Sequence, residues 1–167
     1  CNLKAQSMNI AQGVTGAEQG AGDQGMMFGY AVRETEELMP APIVFAHNLT
    51  RQLAAVRRSG AVPYLRPDGK SQITFLYHQS LPTRVTKIVL ATQHDPFWNQ
   101  KQGELKDVLR REVVEKVVPV RYLENFDWAT QFIVNGTGIF EIGGPAGDSG
   151  LTGRKIIVDT YGGMAPH

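Results

Sequence analysis

A glycine-rich stretch at residues 143 to 155 carries the residue types best suited to holding an anion. Its sequence, GGPAGDSGLTGRK, places a carboxylate at Asp148 and two adjacent cations at Arg154 and Lys155. Backbone N–H groups of such loops can form anion-binding concavities, and Arg and Lys side chains add positive charge. The pattern favours phosphate as a ligand. Ordinary turns with solvated surface cations are the alternative that the residue types leave open.

Residues 66 to 70, Arg-Pro-Asp-Gly-Lys, form a second candidate, because they gather cations and a carboxylate directly before a predicted strand. Pro-Asp-Gly is also ordinary turn chemistry with an exposed lysine beside it. The segment is not a P-loop, since the position five residues before Gly69, where that motif requires glycine, holds Tyr64.

The tetrapeptide at residues 147 to 150, Gly-Asp-Ser-Gly, resembles the segment around the nucleophile of chymotrypsin-like serine proteases. A catalytic triad also needs a histidine base and a buried aspartate, and His47 lies on a predicted helix. The two-helix sandwich predicted below is also the wrong fold for such a protease. No His/Cys pair has the short spacing typical of zinc sites, whereas a carboxylate-bound magnesium stays possible.

Composition and charge narrow the function classes. Seventeen Lys and Arg residues face 16 Asp and Glu residues, so the net charge of +1 gives no reason to expect a nucleic-acid surface. The single cysteine, Cys1, cannot form an internal disulfide, which is typical of a reducing compartment, and we predict a cytoplasmic protein. No apolar run approaches the roughly 20 residues that span a bilayer, so no membrane association is predicted.

The residues that could do chemistry need a scaffold, and the apolar patterning predicts one of the α+β class. Glycine-rich residues 12 to 25 predict a mobile loop that could serve as a lid. Alternating or continuous apolar runs predict strands and three- to four-residue periodicity predicts helices. The predicted elements are a strand at residues 26 to 32, a helix at 43 to 59, strands at 71 to 77 and 84 to 93, a helix at 103 to 118, a strand at 131 to 135, and a strand-like run at 156 to 160.

The order of these elements is that of a split β-α-β-β-α-β two-layer sandwich. Both helices would lie on one face of the sheet. The opposite face then needs a cover, and a neighbouring domain or subunit is the expected one, which predicts an oligomer or a larger parent. The chain begins with Cys1 and stops at His167, soon after Tyr161-Gly162-Gly163, so we expect both ends to be cut.

Residues 20 to 30, GAGDQGMMFGY, closely resemble a signature of S-adenosylmethionine synthetases (methionine adenosyltransferases). Other stretches resemble the same family in the same order, so that the resemblance covers essentially the whole chain. They are residues 11 to 14, 38 to 43, 66 to 71, 92 to 94 and 143 to 163. The resemblance implies an internal segment, with residues 1 to 22 ending an N-terminal domain, 23 to 135 forming the central domain, and 136 to 167 forming a substrate loop and the start of the next domain segment.

The family resemblance implies a reaction. The methionine sulfur attacks the 5′ carbon of ATP and releases tripolyphosphate, which is hydrolysed to pyrophosphate and phosphate. It also implies a parent of three similar α+β domains, a homodimer or homotetramer with active sites at the interface, and Mg²⁺ and K⁺ with ligands outside this segment.

Site residues follow from the same resemblance. Gln12, Asp23 and Asp148 are expected to contact methionine. The expected ATP contacts are Asp68, Gly69, Lys70, Ile139, Phe140, Asp148, Arg154 and Lys155, with Phe140 stacking on adenine and the last two cations gripping the polyphosphate. The catalytic set among them is Lys70, Asp148, Arg154 and Lys155, and no metal ligand is assigned.

Two features of the sequence depart from the family pattern. Ile139 stands where the family usually has an arginine, and the loop between Gln12 and Gly20 is short for the family. With the flanking segments also expected to be missing, the isolated chain is predicted to lack turnover. The alternative is a truncated, non-catalytic paralogue that binds nucleotide or pairs with another subunit.

Overall fold

The computed structural model describes residues 3 to 167, so the prediction about Cys1 lies outside the described residues. Strands β1 (Leu65–His78) and β2 (Leu81–His94) form an antiparallel hairpin, and β3 (Phe132–Val134) pairs in parallel with β2. Gln79 and Ser80 connect the hairpin with φ angles of 49° and 62°. Both angles suit the type I′ turn that matches the twist of paired strands. The two predicted central strands are confirmed and are longer than expected.

Helix α1 (Met8–Val14) precedes the domain core, and helix α2 (Ala41–Ser59) is its main helical element. The prediction for α2 is confirmed, because its periodic apolar positions are the buried ones and Gly60 ends it in the left-handed conformation with a φ of 74°. Its buried side chains are Ala41, Ile43, Leu49, Leu53 and Val56. Full burial of an isoleucine, leucine or valine side chain contributes about 1.5 to 3 kcal/mol to stability.

The second predicted helix is present but not uniform. Helix α3 (Gln102–Leu109) continues through a π-helical turn (Arg110–Val114) and a final short turn (Glu115–Val117). Val113 and Val114 are consecutive, yet both are fully buried. The wider π turn shifts the helix phase at this point, which apolar periodicity alone does not reveal.

Both helices pack on the same face of the sheet and share one hydrophobic core with it. Central members are Leu49 and Leu53 of α2, Ile88 and Leu90 of β2, and Phe132 of β3. The predicted α+β class with two layers is therefore observed. None of the helices in residues 3 to 167 is long and apolar enough to cross a membrane.

Three local predictions are wrong. Residues 26 to 32 belong to no strand, so the sheet has three strands within the described residues. Met26 and Met27 are 80% and 93% exposed and are not buried as a core strand requires. The predicted loop at residues 12 to 25 begins inside α1. Residues 156 to 160 form turns instead of a strand, because the Asp159 N–H bonds to the Lys155 carbonyl 2.8 Å away.

Candidate functional site

A bulge near the start of β1 presents Asp68 to the glycine-rich segment. Leu65 pairs with His94 and Gly69 with Thr92, so three residues of β1 oppose one residue of β2. The predicted turn at residues 66 to 70 is thus a bulge inside a strand. The Asp68 carboxylate accepts a hydrogen bond from the Gly144 N–H at 2.9 Å, and its own N–H donates to the side chain of Gln93 at 3.4 Å.

The backbone at Gly143 fits closely against these two strands. A Cβ atom there would lie 2.9 Å from Asp68 Oδ2 and 2.9 Å from the Gln93 side-chain carbonyl carbon. Gln93 also donates from its amide nitrogen to the Glu141 carbonyl at 2.9 Å. Gln93 therefore joins the bulge to the segment that enters the glycine-rich loop, a function that sequence reasoning missed although the Thr-Gln-His stretch at residues 92 to 94 had marked the position.

Phe140 is held by the last residue of β2. His94 donates its N–H to the Phe140 carbonyl at 2.9 Å, and the Phe140 N–H lies 3.2 Å from His94 Nε2. The phenyl ring is half-buried and borders an open cleft of about 420 Å³ that is also lined by Ile139, Glu141 and Ile142. The predicted adenine contact thus lies next to a space that a ring could enter.

Glu141 places a carboxylate beside Phe140. Its Oε1 accepts a hydrogen bond from the Asn99 amide at 2.7 Å, while the buried Oδ1 of Asn99 has no partner within the described residues. Sequence reasoning did not select Glu141 or Asn99, since nothing in their spacing signals this contact.

Lys70 lies on the outer face of β1, two residues after Asp68, and its side chain is exposed. Gly69 lies on the opposite face, where a Cβ atom would come 2.8 Å from Leu53 of α2. The structure therefore places Gly69 and Lys70 on opposite faces of β1, while Asp68 lies in the bulge that precedes them.

Three other predicted site residues have no side-chain hydrogen bond to the junction between Asp68 and the glycine-rich segment. Asp148, Arg154 and Lys155 are exposed, and their side chains make no hydrogen bond or ion pair within residues 3 to 167. Backbone geometry alone ties Asp148 to the site, since its N–H bonds to the Gly144 carbonyl at 3.0 Å.

Gln12 and Asp23, the predicted methionine contacts, lie in a separate N-terminal region. Gln12 is in α1, and the Asp23 carboxylate accepts a bond from the Gln24 N–H at 2.8 Å. The loop between them folds back, because a Cβ atom at Gly20 would overlap the carbonyl oxygen of Gly13. No hydrogen bond joins either side chain to the sheet in the described part of the chain.

An ion pair stabilises the edge of the bulge. Arg66 donates to the Asp95 carboxylate at 2.8 Å, and the Phe97 N–H donates to the same carboxylate at 3.2 Å. The Arg66 guanidinium and then this N–H lower the pKa of Asp95 from its ordinary value. Arg66 therefore has a structural role at the start of the bulge, through its hydrogen bond to Asp95.

Residues 3 to 167 include no group of three or more His, Cys, Asp or Glu side chains that could hold a metal ion. Asp68 and Glu141 are each engaged in hydrogen bonds to the protein. These residues do not fit a complete metal centre, and no chemical step is assigned to one.

Family models give the decisive comparison for this arrangement. The model described as "S-adenosylmethionine synthetase, central domain" matches residues 18 to 140, and the one for the C-terminal domain of the same enzyme matches residues 142 to 167. The chain belongs to the S-adenosylmethionine synthetase family. The resemblance seen in residues 20 to 30 is confirmed.

Two curated relatives of the synthetase family agree. The chain is 52% identical over 170 residues to an S-adenosylmethionine synthase of Novosphingobium aromaticivorans, covering 99% of this chain and 41% of the relative. It is 53% identical over 171 residues to an S-adenosylmethionine synthase of Desulfosudis oleivorans, covering 99% and 43%. The chain thus spans about two fifths of the length of these curated relatives.

Proposed function

We propose that this chain supplies part of the ATP and methionine sites of an enzyme that forms S-adenosylmethionine. In the reaction a bond forms between the methionine sulfur and the 5′ carbon of ATP, while the bond from that carbon to the phosphate oxygen breaks. Tripolyphosphate leaves and is hydrolysed to pyrophosphate and phosphate. A thioether is already a nucleophile, so the protein mainly has to align the reactants and stabilise the departing anion.

The observation that carries the proposal is the bond between Asp68 and Gly144. It holds the glycine-rich segment against the outer end of β1, where Lys70 stands exposed. A nucleotide lying across this junction would meet the lysine on one side and, on the other, the loop N–H groups other than those of Gly144, Gly147 and Asp148, which are bonded within the chain. Both are suited to negatively charged oxygens.

Further roles are assigned within the same proposal. Phe140 stacks on adenine at its cleft, and Gly69 and Ile139 lie close to the nucleotide through their backbone. Arg154 and Lys155 are exposed and have no ion pair within the described residues, so they are available to grip the polyphosphate. Gln12, Asp23 and Asp148 contact methionine, with Asp148 touching both substrates. The catalytic set is Lys70, Asp148, Arg154 and Lys155.

The proposal includes the larger assembly. We place the domain divisions at residues 1 to 22, 23 to 135 and 136 to 167, and the family models, which meet between residues 140 and 142, support a boundary in this region. The assembly would be a cytoplasmic homodimer or homotetramer that requires Mg²⁺ and K⁺ bound elsewhere.

Ile139 favours a second candidate, a non-catalytic relative that binds nucleotide or pairs with another subunit. Its side chain is 55% exposed at the cleft beside Phe140 and carries no charge, where an arginine could reach phosphate. The carboxylate of Glu141 lines the same cleft. Both features lower the positive potential near the proposed polyphosphate site.

Product formation distinguishes these candidates. Because the chain spans 41% of the Novosphingobium aromaticivorans relative, residues 1 to 167 are placed in the matching segment of that relative. The hybrid is incubated with ATP, methionine, Mg²⁺ and K⁺, and S-adenosylmethionine and tripolyphosphate are measured by mass spectrometry. S-adenosylmethionine above the level of a Lys70→Ala, Lys155→Ala variant supports catalysis. Nucleotide binding without product supports the second candidate. Absence of both contradicts the proposed function and the nucleotide-binding form of the second candidate.

A further inference from the structure

The side chain of His94 is fully buried, whereas His47, His78 and His167 are exposed. Its ring lies between the end of β2, the start of α3 and the segment at Phe140. A buried imidazole needs partners for both nitrogens, and these partners define its state.

The partners of His94 fix its tautomer. Nδ1 lies 3.0 Å from the Asp95 carbonyl, which can only accept, so Nδ1 carries the proton. Nε2 lies 3.2 Å from the Phe140 N–H, which can only donate, so Nε2 is the acceptor. Together with the bond from its own N–H to the Phe140 carbonyl, His94 binds both polar backbone groups of Phe140.

A chain of amides holds the ring of His94 in place. The Gln102 amide nitrogen lies 3.2 Å from His94 Nε2 and donates to the Trp98 carbonyl at 2.9 Å. Gln102 Oε1 accepts from Asn135 at 3.3 Å, and Asn135 Oδ1 accepts from the Thr92 N–H at 2.9 Å. These bonds run from the sheet through α3 to Phe140, and the Gln102 amide and the Phe140 N–H both approach His94 Nε2.

We infer that His94 is a positioning residue that sets the Phe140 ring for the adenine base and thereby makes the site favour adenine nucleotides over free polyphosphate. The inference rests on the proposed function, because it takes Phe140 as the adenine contact. His94 itself touches no substrate. It acts by fixing both backbone groups of Phe140, while the neighbouring residues Ile139 and Ile142 remain 55% and 72% exposed.

The test compares two ligands in the chain and in three variants. His94→Leu removes the acceptor, His94→Gln keeps an acceptor at a similar distance from the backbone, and His78→Leu is the matched control at an exposed histidine. Calorimetry measures the dissociation constants of the non-hydrolysable ATP analogue adenosine 5′-(β,γ-imido)triphosphate and of tripolyphosphate. We expect His94→Leu to raise the dissociation constant of the analogue about tenfold and to change that of tripolyphosphate by no more than about twofold. His94→Gln should keep most of the affinity for the analogue that His94→Leu loses.

Equal weakening of both ligands, or no weakening of either, would overturn the inference. The inference has two parts: His94 positions Phe140, and Phe140 contacts adenine. Hydrogen exchange at the Phe140 amide tests the first part separately from the second. If that amide exchanges no faster in His94→Leu, the positioning itself is wrong. If it exchanges faster while analogue binding is unchanged, or if the unmodified chain binds both ligands equally, Phe140 is not the adenine contact and that part of the proposed function fails with the inference.

Discussion

The carboxylate of Asp68 accepts a hydrogen bond from the N–H of Gly144 at 2.9 Å, across 76 positions of the sequence. One partner lies in a strand bulge and the other at the start of the glycine-rich segment. The contact joins a strand motif and a distant loop motif in the proposed site. It also implies that changes on either side should be felt by the same ligand.

Gly143→Ala should disrupt this junction, because the added methyl group would lie 2.9 Å from both Asp68 and Gln93. Either the Asp68 and Gln93 side chains or the loop must then shift, which disturbs the bond from Gly144 to Asp68, and we expect the dissociation constant of the ATP analogue to rise about tenfold or more. Calorimetry measures the effect.

Gly150→Ala is the matched control, since a Cβ atom at Gly150 meets nothing within 4 Å. It should bind the analogue as the unmodified chain does. Similar affinities for the two alanine variants would mean that close packing at Gly143 does not matter for nucleotide binding.

Ile139→Arg should strengthen binding of tripolyphosphate, because it adds a cation at the cleft beside Phe140. A charge-assisted hydrogen bond to phosphate in an exposed site is expected to lower the dissociation constant about fivefold. Titration calorimetry at low and high salt measures the change, which should shrink as salt screens the charge.

Ile142→Arg provides the comparison, because Ile142 lines the same cleft and is 72% exposed. A general effect of added charge would strengthen tripolyphosphate binding equally in both variants. Equal gains would therefore argue against a specific phosphate contact at residue 139.

The ion pair of Arg66 with Asp95 predicts a loss of stability in acid. The Arg66 hydrogen bond and the Phe97 N–H lower the pKa of Asp95 in the folded chain. Its stabilising contribution is therefore present above the ordinary aspartate pKa of about 3.9 and is lost as the pH falls through the lower, folded value. Asp95→Asn should unfold at a urea concentration that depends less on pH between about 5 and 2.

Urea unfolding followed by the fluorescence of buried Trp98 makes this measurement. Asp107→Asn, at an exposed aspartate of α3, is the control and should keep the original pH dependence. The same slope for all three proteins would mean that the pair contributes no measurable stability.

The sequence predicted the elements whose patterns are local and missed features that depend on distant partners. Helix α2 was predicted to within two residues of its start because its apolar spacing and Gly60 are local signals. Residues 26 to 32 were predicted as a strand from apolar content alone, but a strand also needs an edge to pair with.

The candidate site also combines residues that local sequence patterns predict with contacts that depend on distant partners. Family-like motifs identified Asp68, Lys70 and Phe140 from their neighbours in sequence. The bonds of Gly144 to Asp68 and of His94 to Phe140 join positions 76 and 46 residues apart, so they required the fold. Glu141 and Asn99 gave no signal in the sequence, since a single carboxylate and a single amide have no characteristic spacing.

Binding of the ATP analogue to Asp68 variants tests the central claim most directly. Asp68→Ala removes the acceptor for the Gly144 N–H, Asp68→Asn keeps an oxygen acceptor without the charge, and Asp107→Ala serves as the exposed control. We predict that Asp68→Ala weakens the analogue about tenfold or more, that Asp68→Asn binds with intermediate affinity, and that the control binds normally. Unchanged affinity in Asp68→Ala would contradict the assignment of this junction as the nucleotide site.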